Sequence, residues 1–128
     1  MTRILILEDD LLTLATIYRV LQEVEEETGE ELYVTGYSSY LDVIPLNTAK
    51  VKFDIILLDR DSVEGGNFHS LDVEKFGGEN IIAISTSHAY NEEAIERGVT
   101  MVIAKDALDL DDFGNRLKKE IIRRIKNE

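Results

Sequence analysis

Short unbroken apolar runs alternate along this chain with longer stretches whose apolar residues recur at helical spacing. Ile4-Leu5-Ile6-Leu7 is apolar at every position and too short for a helix, so it predicts a strand buried on both faces. The period then changes. Leu14, Ile17, Tyr18, Leu21 and Val24 fall on one helical stripe that ends near Thr28-Gly29, where glycine supplies a left-handed terminal residue. Residues 32–36 predict a second strand, and Ser38 or Ser39 caps a second helix that must break or kink at Pro45, whose ring cannot continue the hydrogen-bond ladder. Residues 53–58 give the strongest strand signal, followed by a Gly65-Gly66-Asn67 turn and a helix over 70–76 closed by Gly77-Gly78. A fourth strand over 81–84 precedes a short helix over 92–97, capped by Asn91 and ended by Gly98. A fifth strand over 100–104 leads to a last helix over 108–126, with Leu110, Phe113, Leu117 and Ile121 on one stripe and Ile122 and Ile125 beside it.

Strands alternating with helices predict an α/β fold with a parallel sheet covered on both faces, because right-handed crossovers place helices there. The expected architecture is a doubly wound, flavodoxin-like sheet in the order 2-1-3-4-5, whose switch point lies between strands one and three. Residues 1–128 read as a single domain with no output domain attached.

Composition narrows the function classes. The 44% hydrophobic and 31% charged fractions describe a water-soluble domain, and no apolar run approaches the ~20 residues of a membrane span. The absence of cysteine excludes disulfides and thiolate chemistry and, with no signal-peptide pattern after Met1, leads to the expectation of a cytoplasmic protein. A formal charge of −12 opposes attraction to nucleic acid or anionic lipid, so neither is expected as a partner. Six of the 14 basic side chains fall between Arg116 and Lys126; the plain reading is a solvated helix face with cations near its C-terminal dipole, the alternative a docking face.

Demanding residues stand at the C-terminal ends of four apolar runs: Glu8-Asp9-Asp10, Asp59, Ser85 and Lys105. In a parallel sheet these ends share one edge, where open α/β folds bind ligands. Carboxylates crowded at one edge raise one another's pKa unless a cation compensates, and a hard divalent ion does so with oxygen ligands. Glu8, Asp9 and Asp59 are the candidate ligands to Mg²⁺ or Mn²⁺, with Asp10 in reserve because side chains alternate in direction along an extended segment. The acidic trio can instead cap the first helix. Asp59, after a strongly apolar strand, is the candidate nucleophile toward phosphorus, with Lys105 and Ser85 meeting phosphoryl oxygens. Taken singly, Ser85 reads as a turn former and Lys105 as a surface lysine, and His69 and His88 are expected to be exposed loop residues.

The pieces Ile4-Leu5-Ile6-Leu7-Glu8-Asp9-Asp10, Ile55-Ile56-Leu57-Leu58-Asp59, Ile82-Ala83-Ile84-Ser85-Thr86 and the stretch from Gly98 to Lys105 resemble response-regulator receiver domains of two-component signalling, especially stand-alone chemotaxis-type receivers. The resemblance runs over essentially the whole chain. It implies that Asp59 is the phosphoacceptor, that Glu8 and Asp9 hold the metal, and that the backbone carbonyl of Asp61 adds a ligand. It further implies that Ser85 is the switch hydroxyl, with Thr86 a secondary candidate, and that Lys105 contacts the phosphoryl group. A histidine kinase or phosphotransfer protein is then the donor, and a downstream protein docks on the face of the fourth helix, fifth strand and fifth helix. No enzyme activity is implied beyond self-phosphorylation from a donor and autodephosphorylation.

Three departures from the family pattern stand out. Asp106 follows Lys105 where the family has a cis proline; a cis bond before a non-proline costs ~2.5–4 kcal/mol, so a different aim of Lys105 is expected. Val63-Glu64 replaces the usual loop proline, and Val102 occupies the usual aromatic position. Two other functions compete. Asp59-Arg60-Asp61-Ser62-Val63 resembles the nucleophile motif of haloacid-dehalogenase-type phosphatases, with Asp111-Asp112 as further metal ligands. The other is a receiver-like interaction module that works without phosphate.

Overall fold

Parallel strands β1 (Thr2–Leu7), β2 (Leu32–Tyr37), β3 (Ile55–Leu58), β4 (Ile81–Ala83) and β5 (Met101–Val102) form one sheet in the order β2-β1-β3-β4-β5. The structure is a computed structural model and describes residues 1–61 and 65–127. Between and after the strands come helices α1 (Leu11–Thr28), α2 (Val43–Thr48), α3 (Val73–Phe76), α4 (His88–Glu96) and α5 (Leu110–Ile125). This is the doubly wound, flavodoxin-like arrangement that the sequence predicts.

Alternation along the strands explains the two cores. Ile4, Ile6, Ile55, Leu57 and Ile82 point to one face and pack with Ile17, Val20, Leu21 and Val24 of α1 and Phe113, Leu117 and Ile121 of α5. Leu5, Leu7, Ile56, Leu58, Ile81 and Ala83 point to the other, against Val43 and Leu46 of α2, Val73 and Phe76 of α3 and Ala94 of α4. Each fully buried aliphatic side chain contributes about 1.5–3 kcal/mol relative to exposure, so the central strands are a rigid base for whatever their ends carry. The edge strand β2 is less covered, since α2 has only 6 residues. No helix among the described residues is long and apolar enough to cross a membrane.

Several boundaries differ from expectation for local reasons. The helical piece after β2 does break, but ahead of Pro45. Ser39 caps a 3-10 turn over Tyr40–Asp42, and α2 then starts at Val43, leaving Pro45 in the first turn, where an amide N–H has no intrahelical acceptor to lose. The third helix is split into a 3-10 turn at Phe68–Ser70 and the single turn of α3, which Asp72 caps. The fourth helix begins earlier than predicted: Ser87, not Asn91, is its cap, accepting from Tyr90 N–H at 3.3 Å. β5 is short, yet its backbone stays bonded to the β4 segment, with Ile103 N–H donating to Ala83 O at 2.9 Å and Lys105 N–H to Ile84 O at 3.3 Å. Asp109 caps α5, which starts at Leu110.

Candidate functional site

A relay of backbone hydrogen bonds crosses the C-terminal edge of the sheet. Leu7 and Leu58 are paired, and just beyond them Asp59 N–H donates to Leu7 O at 3.0 Å. Ile84 N–H donates to Leu58 O at 3.0 Å, and Lys105 N–H to Ile84 O. Glu8 and Asp59 are therefore the first residues past β1 and β3, and the same backbone bonding, continued beyond β4 and β5, brings Ser85 and Lys105 to the same edge. The convergence rests on sheet geometry, not on flexible loops.

Glu8, Asp9 and Asp59 each offer a carboxylate oxygen within 4.8 Å of the others. In an octahedral Mg²⁺ site with ligands at about 2.0–2.1 Å, opposite oxygens are about 4.2 Å apart and adjacent ones about 2.9 Å, so a closure of up to about 2 Å would bring these three onto one ion. The donor set, all carboxylate oxygen with no imidazole or thiolate, suits a hard divalent cation.

Lys105 compensates the cluster from within the protein. Its ammonium donates to Glu8 Oε1 and lies 3.3 Å from Asp59 Oδ2. Glu8 is buried, and its other oxygen accepts from the backbone N–H groups of Asp9 and Asp10 at 3.0 and 3.2 Å. Burial and the neighbouring Asp59 charge nonetheless push the Glu8 carboxyl up to about 7, against the opposing pull of Lys105. Burial works to discharge Lys105 as well, but Glu8 and Asp59 outweigh it and raise its pKa, so the ammonium stays charged. The peptide after Lys105 is trans, with no cis bond among the described residues, and the side chain still reaches both carboxylates. The expected change of aim is not seen.

Asp10 does not join the cluster. It is the N-cap of α1, its carboxylate accepting from Thr13 Oγ1 at 2.6 Å and Thr13 N–H at 3.0 Å, contacts that lower its pKa. The capping alternative thus holds for Asp10, while Glu8 and Asp9 share the acidic group with Asp59. Asp61 pairs its side chain with Arg60 at 2.8 Å and its backbone bridges to Asn67; Ser62, Val63 and Glu64 lie outside the described residues. Asp111 is 93% exposed beside Arg19, and Asp112 pairs with Arg116, so neither belongs to the acidic group.

Ser85 is buried, its Oγ accepting from Ser87 N–H at 3.1 Å, whereas Thr86 is exposed. Asn91, read in the sequence as a helix cap, is instead buried inside α4 with its carboxamide on the Ser85 backbone. His69, expected in an exposed loop, is 1% exposed. Its Nδ1 lies 3.1 Å from Glu93 Oε1, and since a carboxylate only accepts, that nitrogen carries the proton. Burial lowers the His69 pKa, more than Glu93 raises it, and keeps the ring neutral. His88 is 90% exposed, at the start of α4. No local sequence pattern marks His69, Glu93 or Asn91, because each acts through a partner on another segment.

No protein-family model matches the sequence, and no curated protein matches it. The fold, by contrast, is shared with solved receiver domains. The Mn²⁺-bound form of the response regulator Rcp1 superposes with a TM-score of 0.70 at 17% identity, over 93% of this chain and 91% of that one. A response-regulator receiver domain from Rhodospirillum rubrum gives 0.68 at 15% identity, over 94% and 91%. A two-component response regulator from Clostridium difficile gives 0.65 at 20%, over 98% of both chains. The fold is that of response-regulator receiver domains.

Proposed function

We propose that this chain is a signalling receiver that carries a phosphoryl group on Asp59. The observation that supports it most directly is the placement of the Lys105 ammonium 3.3 Å from Asp59 Oδ2 within a cluster of three carboxylates. The donor is a phosphohistidine on a histidine kinase or phosphotransfer protein. Oδ of Asp59 attacks phosphorus, the P–N bond breaks, and the imidazole leaves with the electron pair, giving an aspartyl phosphate. Autodephosphorylation is attack of water on the same phosphorus, returning the carboxylate and inorganic phosphate.

Phosphoryl transfer depends on positioning and on neutralising the equatorial oxygens. Lys105 meets one oxygen and the Ser85 hydroxyl another, while Glu8, Asp9, Asp59 and the Asp61 carbonyl are the residues that would hold Mg²⁺ or Mn²⁺. Such an ion would supply positive charge against the phosphoryl group and the crowded carboxylates. The product is a conformational state read by a downstream protein on the face of α4, β5 and α5, where Val102 is half-buried. A net charge of −12 speaks against nucleic acid as that partner, and the reading places the protein in the cytoplasm. A haloacid-dehalogenase-type phosphatase is disfavoured by the position of Asp111 and Asp112 away from the acidic group.

Incubation with Mg²⁺ and a small acyl phosphate, followed by intact-mass measurement, tests the proposal. The wild-type protein is expected to gain one phosphoryl group and Asp59→Asn none. Gain by Asp59→Asn, no gain by the wild type, or sustained turnover of phosphomonoesters would each overturn it.

A further inference from the structure

α4 grips the site at two points, and both grips end on residues beside the proposed chemistry. Asn91 is 4% exposed; Ser85 N–H donates to its Oδ1 at 3.2 Å and its Nδ2 donates to Ser85 O at 2.9 Å. This two-point clamp fixes the peptide of Ser85 to α4. Two residues further along, Glu93 Oε2 accepts from Nε of Arg60 at 3.0 Å, and Arg60 is covalently next to Asp59. The second oxygen of Glu93 takes the Nδ1–H of buried His69, whose carbonyl accepts from Arg97 one turn later on the α4 side. The Arg60 guanidinium also lies 4.3 Å from the Tyr90 ring centroid and pairs with Asp61.

The Arg60 guanidinium is held at once by Glu93, Asp61 and the face of Tyr90, which restricts its side chain, so a shift of the Arg60 backbone loads its bond to Glu93. New negative charge on Asp59 competes with Glu93 for that guanidinium, and the Ser85 hydroxyl donates to none of the described residues, leaving its proton for a phosphoryl oxygen. Either event pulls on the same helix. Val102, in contrast, offers no ring that can swing between two positions.

We propose that the Arg60–Glu93–His69 linkage, with the Asn91 clamp on Ser85, is the relay that carries the state of Asp59 to α4. The relay rests on the reading of Asp59 as phosphoacceptor, and it makes Arg60, Glu93 and Asn91 positioning residues. Amide NMR spectra of the full chain with Mg²⁺ and acetyl phosphate, paired with intact mass, test both levels separately. In the wild type, mass should rise through Asp59 and the amides of His88–Glu96 should move. Glu93→Gln should take up the phosphoryl group as the wild type does but lose most of the α4 amide displacement. Arg60→Gln should lose as much displacement per phosphorylated molecule, the phosphorylated fraction being read from the mass, and the double variant should lose no more than either. Undiminished α4 displacement in both single variants would overturn the relay and leave the phosphoacceptor standing. Absence of any mass gain in the wild type would overturn both.

Discussion

The Lys105 ammonium bridges Asp59, at 3.3 Å, and Glu8, tying the end of the third strand to that of the first. Removing it leaves two buried carboxylates without a cation. Lys105→Met should therefore destabilise the metal-free protein at pH 8 by about 3 kcal/mol, the low end for a broken buried pair because Glu8 can still take up a proton. At pH 5, where Glu8 is already protonated, the cost should be much smaller. Urea unfolding at the two pH values checks this, and equal losses would contradict it.

Glu8 itself makes the metal-free protein pH-sensitive. Its folded pKa of about 7 lies above the ordinary 4.5, so between those values the folded state holds more protons than the unfolded one. Its contribution to stability then falls as pH rises from about 4.5 to about 7. Glu8→Gln should flatten that limb of the stability profile, and saturating Mg²⁺ should restore stability at pH 8. A metal-free wild-type profile that rises through this window would refute the assignment.

Asp10 should prove structural. Asp10→Ala is expected to cost about 1 kcal/mol through loss of the α1 cap, Asp10→Asn considerably less. Its lowered pKa means that the benefit is present above the ordinary carboxylate range and disappears as pH falls through the folded value. Mn²⁺ affinity, read by water-proton relaxation, should stay essentially unchanged in both variants and fall in Asp9→Asn. Equal weakening by Asp10→Asn would return Asp10 to the metal site.

Two glycines should behave differently. A Cβ on Gly78 would stand 1.8 Å from the carbonyl oxygen of Gly98, where backbone cannot yield, so Gly78→Ala should cost about 3 kcal/mol, the upper end for overpacking. Gly29 has φ +72 and open space around it, so Gly29→Ala should cost only the left-handed penalty of about 1–2 kcal/mol. Thermal unfolding of the two variants should show the larger drop for Gly78→Ala.

The sheet and the strand-end cluster were legible because both follow from one-dimensional pattern. Runs such as Ile55-Ile56-Leu57-Leu58 have no polar face, and an Asp directly after such a run is conspicuous. What escaped depends on partners distant in the chain. Asn91 looks like a cap to any local rule, but its amide meets Ser85 six residues earlier and Ser87 takes the cap. Burial of His69 is decided by Glu93, 24 residues away, and nothing near His69 announces it. The place of Asp10 lies within reach of local rules, since its partner Thr13 is three residues on and capping is one reading of the acidic trio.

A strand apolar at every position carries no preference for one register over the next, since a slip merely exchanges the two cores. In β3 the preference comes from its ends. Asp54 exchanges hydrogen bonds with the Arg3 backbone, its N–H donating to Arg3 O and its Oδ2 accepting from Arg3 N–H, both at 2.8 Å, while Asp59 N–H reaches Leu7 O. A slip of one residue in either direction drags one of these carboxylates toward the apolar interior, which only a proton or a partner would make tolerable. Asp59 therefore also serves assembly: it marks where the third strand must stop.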